Sequence, residues 1–88
     1  MIEEKITVTN PKGIHARPSA LIVKTAQQLD SNVYFTLREE VADATKIMDI
    51  LALGAAPGET ILVRVDGGDE VDAMNRMREI FALNFHDD

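Results

Sequence analysis

Stretches of alternating apolar residues give way repeatedly to stretches with helical spacing, and this change of period limits what the chain can fold into. Ile2 to Thr9 ends in the alternation of a half-buried strand. Asn10-Pro11-Lys12-Gly13 is a turn. From Ala16 to about Leu29 the apolar residues Leu21, Ile22, Ala26 and Leu29 keep helical spacing, with Lys24, Gln27 and Gln28 toward solvent. Asp30-Ser31-Asn32 closes that helix. Val33 to Leu37 is β-branched and aromatic, hence a strand. Arg38-Glu39-Glu40 turns the chain without the usual glycine or asparagine, and Val41-Ala42-Asp43 returns as a short strand. Thr45 is placed to cap a short helix that carries Ile47, Met48, Ile50, Leu51 and Leu53 and stops at Gly54. After the loop Ala55 to Gly58, Thr60 to Val65 is a further strand. Asp69 is placed to cap a last helix to about Asn84, with Val71, Met74, Met77, Ile80 and Phe81 on one face.

The resulting order, β-α-β-β-α-β-α, predicts an α+β fold with three helices on one face of a four-stranded, mostly antiparallel sheet. This is an open-faced β-sandwich whose split arrangement is similar to ferredoxin-like topology. The other sheet face is expected to be wet. At 88 residues the chain fits one domain, residues 1–88, with one modest core. It has no cysteine, which excludes disulfides, thiol chemistry and zinc-thiolate sites. A formal net charge of -6 argues against nucleic acid and points to a partner with a basic surface. No apolar run reaches membrane-spanning length, and the acidic Met1-to-Lys5 start is strand-like rather than a signal peptide. A cytoplasmic monomer, not inserted in a membrane, is the expectation.

Chemistry concentrates in Gly13-Ile14-His15-Ala16-Arg17-Pro18-Ser19-Ala20. His15 stands just ahead of a helix, whose first N–H groups are unpaired and carry partial positive charge. Such a site attracts phosphate. An imidazole there can act as a nucleophile, and the planar fork of Arg17 matches phosphate oxygens. The pattern predicts a histidine that takes up and gives away a phosphoryl group. Gly13 and Pro18 are structural in this reading. The two histidines, His15 and His86, lack carboxylates at ligand spacing, so neither a metal nor another cofactor is expected.

The Gly13-to-Pro18 motif closely resembles the active-site pattern of the HPr family, the histidine-containing phosphocarriers of the bacterial phosphotransferase system. The resemblance extends to Lys46-Ile47-Met48, to Leu53-Gly54 and to Gly67–Ala73, and so spans nearly the whole chain. It implies phosphorylation of His15 on Nδ1 by enzyme I, itself charged by phosphoenolpyruvate, and transfer to enzyme IIA domains in sugar uptake. It also implies phosphate contacts from the Arg17 side chain and from the Ala16 and Arg17 N–H groups. Partner docking through Ala20, Lys24, Ile47, Met48 and Leu51 follows from the same resemblance. Such a chain is a carrier within a phosphotransferase system rather than a stand-alone enzyme. Many relatives have a regulatory serine where this chain has Lys46, and many have glycine at Asp49. The serine switch is therefore not expected, and Thr45 is read as a helix cap ahead of a substitute phosphate acceptor.

Plainer readings stand beside these. Ile47, Met48 and Leu51 share one helix face; all five apolar residues of that helix could be core, or this face could be an exposed patch for partners. Asp69, Glu70 and Asp72 read as helix-start carboxylates rather than a cation site. His86, in the tail Phe85-His86-Asp87-Asp88, reads as solvated. The rival functions are a regulatory, nitrogen-type paralogue and a non-phosphorylated interaction module of the same fold.

Overall fold

The computed structural model describes residues 1–86. The expectation for the His86 side chain and the two aspartates beyond it lies outside what is described. Strands β1 (Ile2–Thr7), β2 (Asn32–Leu37), β3 (Glu40–Asp43) and β4 (Thr60–Asp66) form one sheet in the order β1-β4-β2-β3. Every neighbouring pair is antiparallel, not merely most of them. Helices α1 (Ala16–Gln27), α2 (Ile47–Leu53) and α3 (Glu70–Ala82) cover one face, and a 3-10 turn over Asn84–His86 follows. The crossovers are split: α1 joins β1 to β2, which flank β4, and α2 joins β3 to β4, which flank β2.

Register explains the two sheet faces. Val63 opposes Phe35, and Phe35 opposes Ala42, so all three point at the helices and are buried. The adjacent row, Lys5, Leu62, Thr36 and Val41, points to solvent. Ile22, Ile50, Met74 and Met77 close the core from the helical side. On the edge strand β1, Glu4 shares the inward side with Ile2 and Ile6. It is met there by Arg78 of α3, whose Nε lies 2.7 and 2.8 Å from its two carboxylate oxygens. An inward charge on an edge strand blocks pairing with a foreign strand.

Several local expectations give way to longer-range contacts. α1 ends at Gln27, two residues short of Leu29, and Ser31 is buried where its hydroxyl bonds Asp69. That bond, with a second from the Asp30 N–H at 3.0 Å, draws the Asp69 carboxylate away from its own helix, so Asp69 makes no side-chain cap. Val71 does not belong to the buried face of α3: it is 68% exposed, and Ala73 takes its place in the core. Phe85, read as tail, is buried with its ring 4.8 Å from Phe81.

Ser19 in α1 is fully buried, and its hydroxyl has no hydrogen-bond partner among the described residues. A buried polar group in that state is costly, and alanine is the better helix former. Ser19→Ala should therefore raise stability by about 1 kcal/mol, or roughly 4–8 °C in Tm for a domain of this size. An equal or lower melting temperature in calorimetry would show that the hydroxyl is satisfied.

Candidate phosphoacceptor site

The loop ahead of α1 is stitched from both sides. The Asn10 side chain donates Nδ2–H to the Gly13 carbonyl at 2.9 Å, and the Gly13 N–H returns to the Asn10 carbonyl at 3.2 Å. Ile14, which is buried, donates its N–H to the Ala55 carbonyl at 2.9 Å. Gly13 sits at φ +69°, and a Cβ there would lie 2.5 Å from that same carbonyl oxygen, so only glycine fits.

This stitching delivers His15 as the residue that opens α1. Its backbone is extended, at φ -98° and ψ -161°, and its carbonyl accepts the Ser19 N–H at 2.9 Å. The half-buried imidazole does not cap the helix. Pro18 has no N–H, so the first-turn donors that the helix itself does not use are those of Ala16 and Arg17. The first turn of α1 holds no acidic residue, whereas that of α3 holds Glu70 and Asp72. Arg17, exposed in that turn, adds a cation at the positive end of the dipole. That arrangement opposes helix stability and favours an anionic ligand.

α2 lies beside α1 and runs the other way. The Gln27 amide at the end of α1 donates to the Thr45 carbonyl at 3.1 Å, before α2, while Ile14 at the start of α1 meets Ala55, beyond α2. The exposed Ala20 and Lys24 of α1 therefore run alongside Leu51, Met48 and Ile47 of α2. Ile50 and Leu53 are buried, but Met48 is 72% exposed, Ile47 39% and Leu51 38%. The all-core reading of this helix does not hold.

The helix begins one residue later than expected. Lys46, exposed, is the N-cap residue and supplies no side-chain cap. The Thr45 hydroxyl donates instead to Asp43 Oδ1 at 2.7 Å, and its N–H to the same oxygen at 2.9 Å. Asp49 Oδ2 accepts the Asp43 N–H at 3.1 Å, which ties β3 to α2. Thr45, through its hydroxyl and then its N–H, holds the Asp43 carboxyl below the ordinary carboxylate range. A lowered native value means that this contribution is full above the unfolded value, near 3.8, and fades as pH falls through the native one. Asp43→Asn should accordingly cost stability at pH 7 and flatten the fall in Tm below about pH 4. Parallel Tm–pH curves for the two proteins would refute this role.

Charge is not spread evenly. Lys12, Arg17, Lys24 and Lys46 are exposed on or near the helices of the site. Arg38, Arg64 and Arg78 are engaged by Glu59, Glu3 and Glu4. Asp30, Asp66, Asp69, Glu70 and Asp72 gather at the far end of α1, where Asn32 opposes Asp66. Glu70 there pairs with the chain's amino group at 2.7 Å and accepts the Gly67 N–H at 3.1 Å. The site end is thus cationic although the whole chain is acidic. A basic partner, inferred from net charge alone, does not suit this end.

A family model described as the PTS HPr component phosphorylation site matches residues 2–82. The chain belongs to the HPr family. It is 39% identical to the phosphocarrier protein HPr of Xylella fastidiosa strain Temecula1, across all of this chain and 99% of that one. Against the HPr of Treponema pallidum the identity is 33% over the full length of both. Among solved structures it is similar to HPr-C-His from Thermoanaerobacter tengcongensis, with a TM-score of 0.94 at 31% identity, covering 100% of this chain and 99% of that one. The open-faced sandwich expected from the order of elements is the fold found, it is the fold of the HPr structures the chain is similar to, and the chain is an HPr phosphocarrier component of the phosphotransferase system. No helix among the described residues is long and apolar enough to cross a membrane.

Proposed function

We propose that this HPr accepts a phosphoryl group from enzyme I on His15 Nδ1 and passes it to enzyme IIA domains in sugar uptake. The observation that carries this reading is a histidine at the start of a helix whose first turn holds an exposed arginine and no carboxylate. The Nδ1 lone pair attacks phosphorus as the bond to the donor breaks. The oxygens then face the Ala16 and Arg17 N–H groups and the Arg17 guanidinium. Transfer onward repeats the step in reverse, with the acceptor as nucleophile. A carrier needs modest affinity for its cargo, because a deep cage of donors would trap it. One arginine and one helix terminus meet that need.

Docking falls to Ala20, Lys24, Ile47, Met48 and Leu51. An apolar seat with a cationic rim suits a partner that offers apolar side chains ringed by carboxylates. Lys46 has no hydroxyl, so this position cannot serve as a phosphoserine switch.

The test is incubation with phosphoenolpyruvate and enzyme I, read as an acid-labile mass increase of one phosphate that is lost on adding enzyme IIA. Arg17→Ala should slow transfer about tenfold or more, the scale of one lost charge-assisted hydrogen bond, without lowering the melting temperature, because it takes a cation off the positive end of the helix dipole. Arg17→Lys should recover part of the rate, since an ammonium cannot make the bidentate contact. An unchanged rate in Arg17→Ala would remove this side chain from the mechanism.

A further inference from the structure

The β2–β3 turn is made by two residues that resist its shape. Arg38 lies at φ +50° and Glu39 at φ +68°, a region uncommon for residues other than glycine and asparagine. Hairpin turns with two positive φ angles strongly favour Asn-Gly. Such strain persists where surrounding contacts over-determine it. Here Arg38 reaches across the end of α2. Its Nη2 donates to the Leu53 carbonyl at 2.8 Å, and its Nη1 pairs with Glu59 Oε2. Leu53 is in the last turn of α2, where carbonyls lack helical donors, and that turn has no cation of its own. The second Glu59 oxygen, Oε1, accepts the Ala56 N–H at 2.8 Å. Between these anchors lies Ala55, whose carbonyl receives the Ile14 N–H at 2.9 Å. A bonded path therefore runs from the hairpin turn, through residues 53–56, to the residue before His15.

We infer that Arg38 and Glu59 form a positioning clasp, which holds loop 53–56 where it fixes Ile14 and so aims the His15 imidazole at the start of α1. The inference rests on His15 being the phosphoacceptor. Neither clasp residue touches the phosphoryl group, so both are positioning residues. Transfer rates respond steeply to small displacements of a reacting atom, whereas an exposed ion pair adds little to global stability. The clasp should therefore be visible in the rate and not in the melt.

Arg38→Gly separates the two roles. It removes the clasp and relieves the left-handed strain at that position, so Tm should stay level or rise. The kcat for transfer from enzyme I should nevertheless fall about fivefold with KM held within about twofold, and hydrogen exchange of the Ile14 amide should quicken. Glu59→Ala should behave alike in kcat. Glu59→Gln keeps one oxygen, which can accept the Ala56 N–H, but puts an amide N–H where Arg38 needs an acceptor, so it should recover only part of the rate lost in Glu59→Ala. A wild-type kcat in Arg38→Gly overturns the clasp, as does a defect confined to KM, which would place the pair in docking. Both outcomes presuppose a wild-type chain that labels on His15. An unlabelled wild type would instead overturn the phosphoacceptor reading, and the clasp's role in transfer with it.

Discussion

His15→Ala is expected to take up no acid-labile phosphate from phosphoenolpyruvate and enzyme I, while His86→Ala labels as the unaltered protein does. The difference should be complete rather than graded, because among the described residues no other histidine precedes an α-helix. His15 opens α1 beside Arg17, and the loop before it is fixed by the Ile14–Ala55 bond and by the close approach of Gly13. His86 follows Phe85 near the end of the chain, in a tail with two aspartates, which would repel an incoming phosphoryl group. The alanine variant should keep its fold. His15 makes no side-chain cap, and its backbone bond to Ser19 survives the substitution. The measurement is intact mass before and after mild acid, with the thermal melt as control. Labelling that persists in a folded His15→Ala protein would transfer the role to another residue.

The site was legible in the sequence because its parts are local. The positive end of a helix, the proposed nucleophile and the arginine fall within a few residues, and short-range rules put His15 and Arg17 at the helix start, where the structure has them. The alternation of Thr60 to Val65 likewise locates a strand whose inward residues are Ile61, Val63 and Val65. What the sequence hid is where one polar group chooses among partners. Asp69 and Thr45 both have the residue type of a helix cap. Asp69 is claimed by Ser31, 38 residues away, and Thr45 by Asp43, two residues before it. Nothing in the local pattern ranks these bonds above a cap. The clasp was hidden for the same reason: Arg38 and Glu59 are 21 residues apart and meet only because β2 and the α2–β4 loop are brought together. Phe85 carried a signal that could have been read, since it follows Phe81 by four residues and continues its apolar row.

Met48→Glu is expected to weaken binding to enzyme I by about tenfold or more while leaving the melting temperature within about 3 °C. Met48 is the most exposed apolar residue of α2, at 72%, so the folded chain spends little by charging it. Binding is different. If Ile47, Met48 and Leu51 form the apolar seat of the interface, a carboxylate at 48 must be desolvated against apolar groups of the partner. It would also weaken the positive field that Lys24 and Lys46 provide beside it, and set a like charge against the carboxylates expected around that partner's seat. Flexible, polarisable methionine fits a surface that must meet a donor and an acceptor in turn, so the variant should lose affinity for enzyme IIA as well. Ile50→Glu is the matching control: Ile50 is buried on the opposite side of the same short helix, and charging it should collapse the melt. Calorimetric titration of Met48→Glu against enzyme I decides the point. Unchanged affinity would take the docking face away from α2, and a collapsed melt would return Met48 to the core.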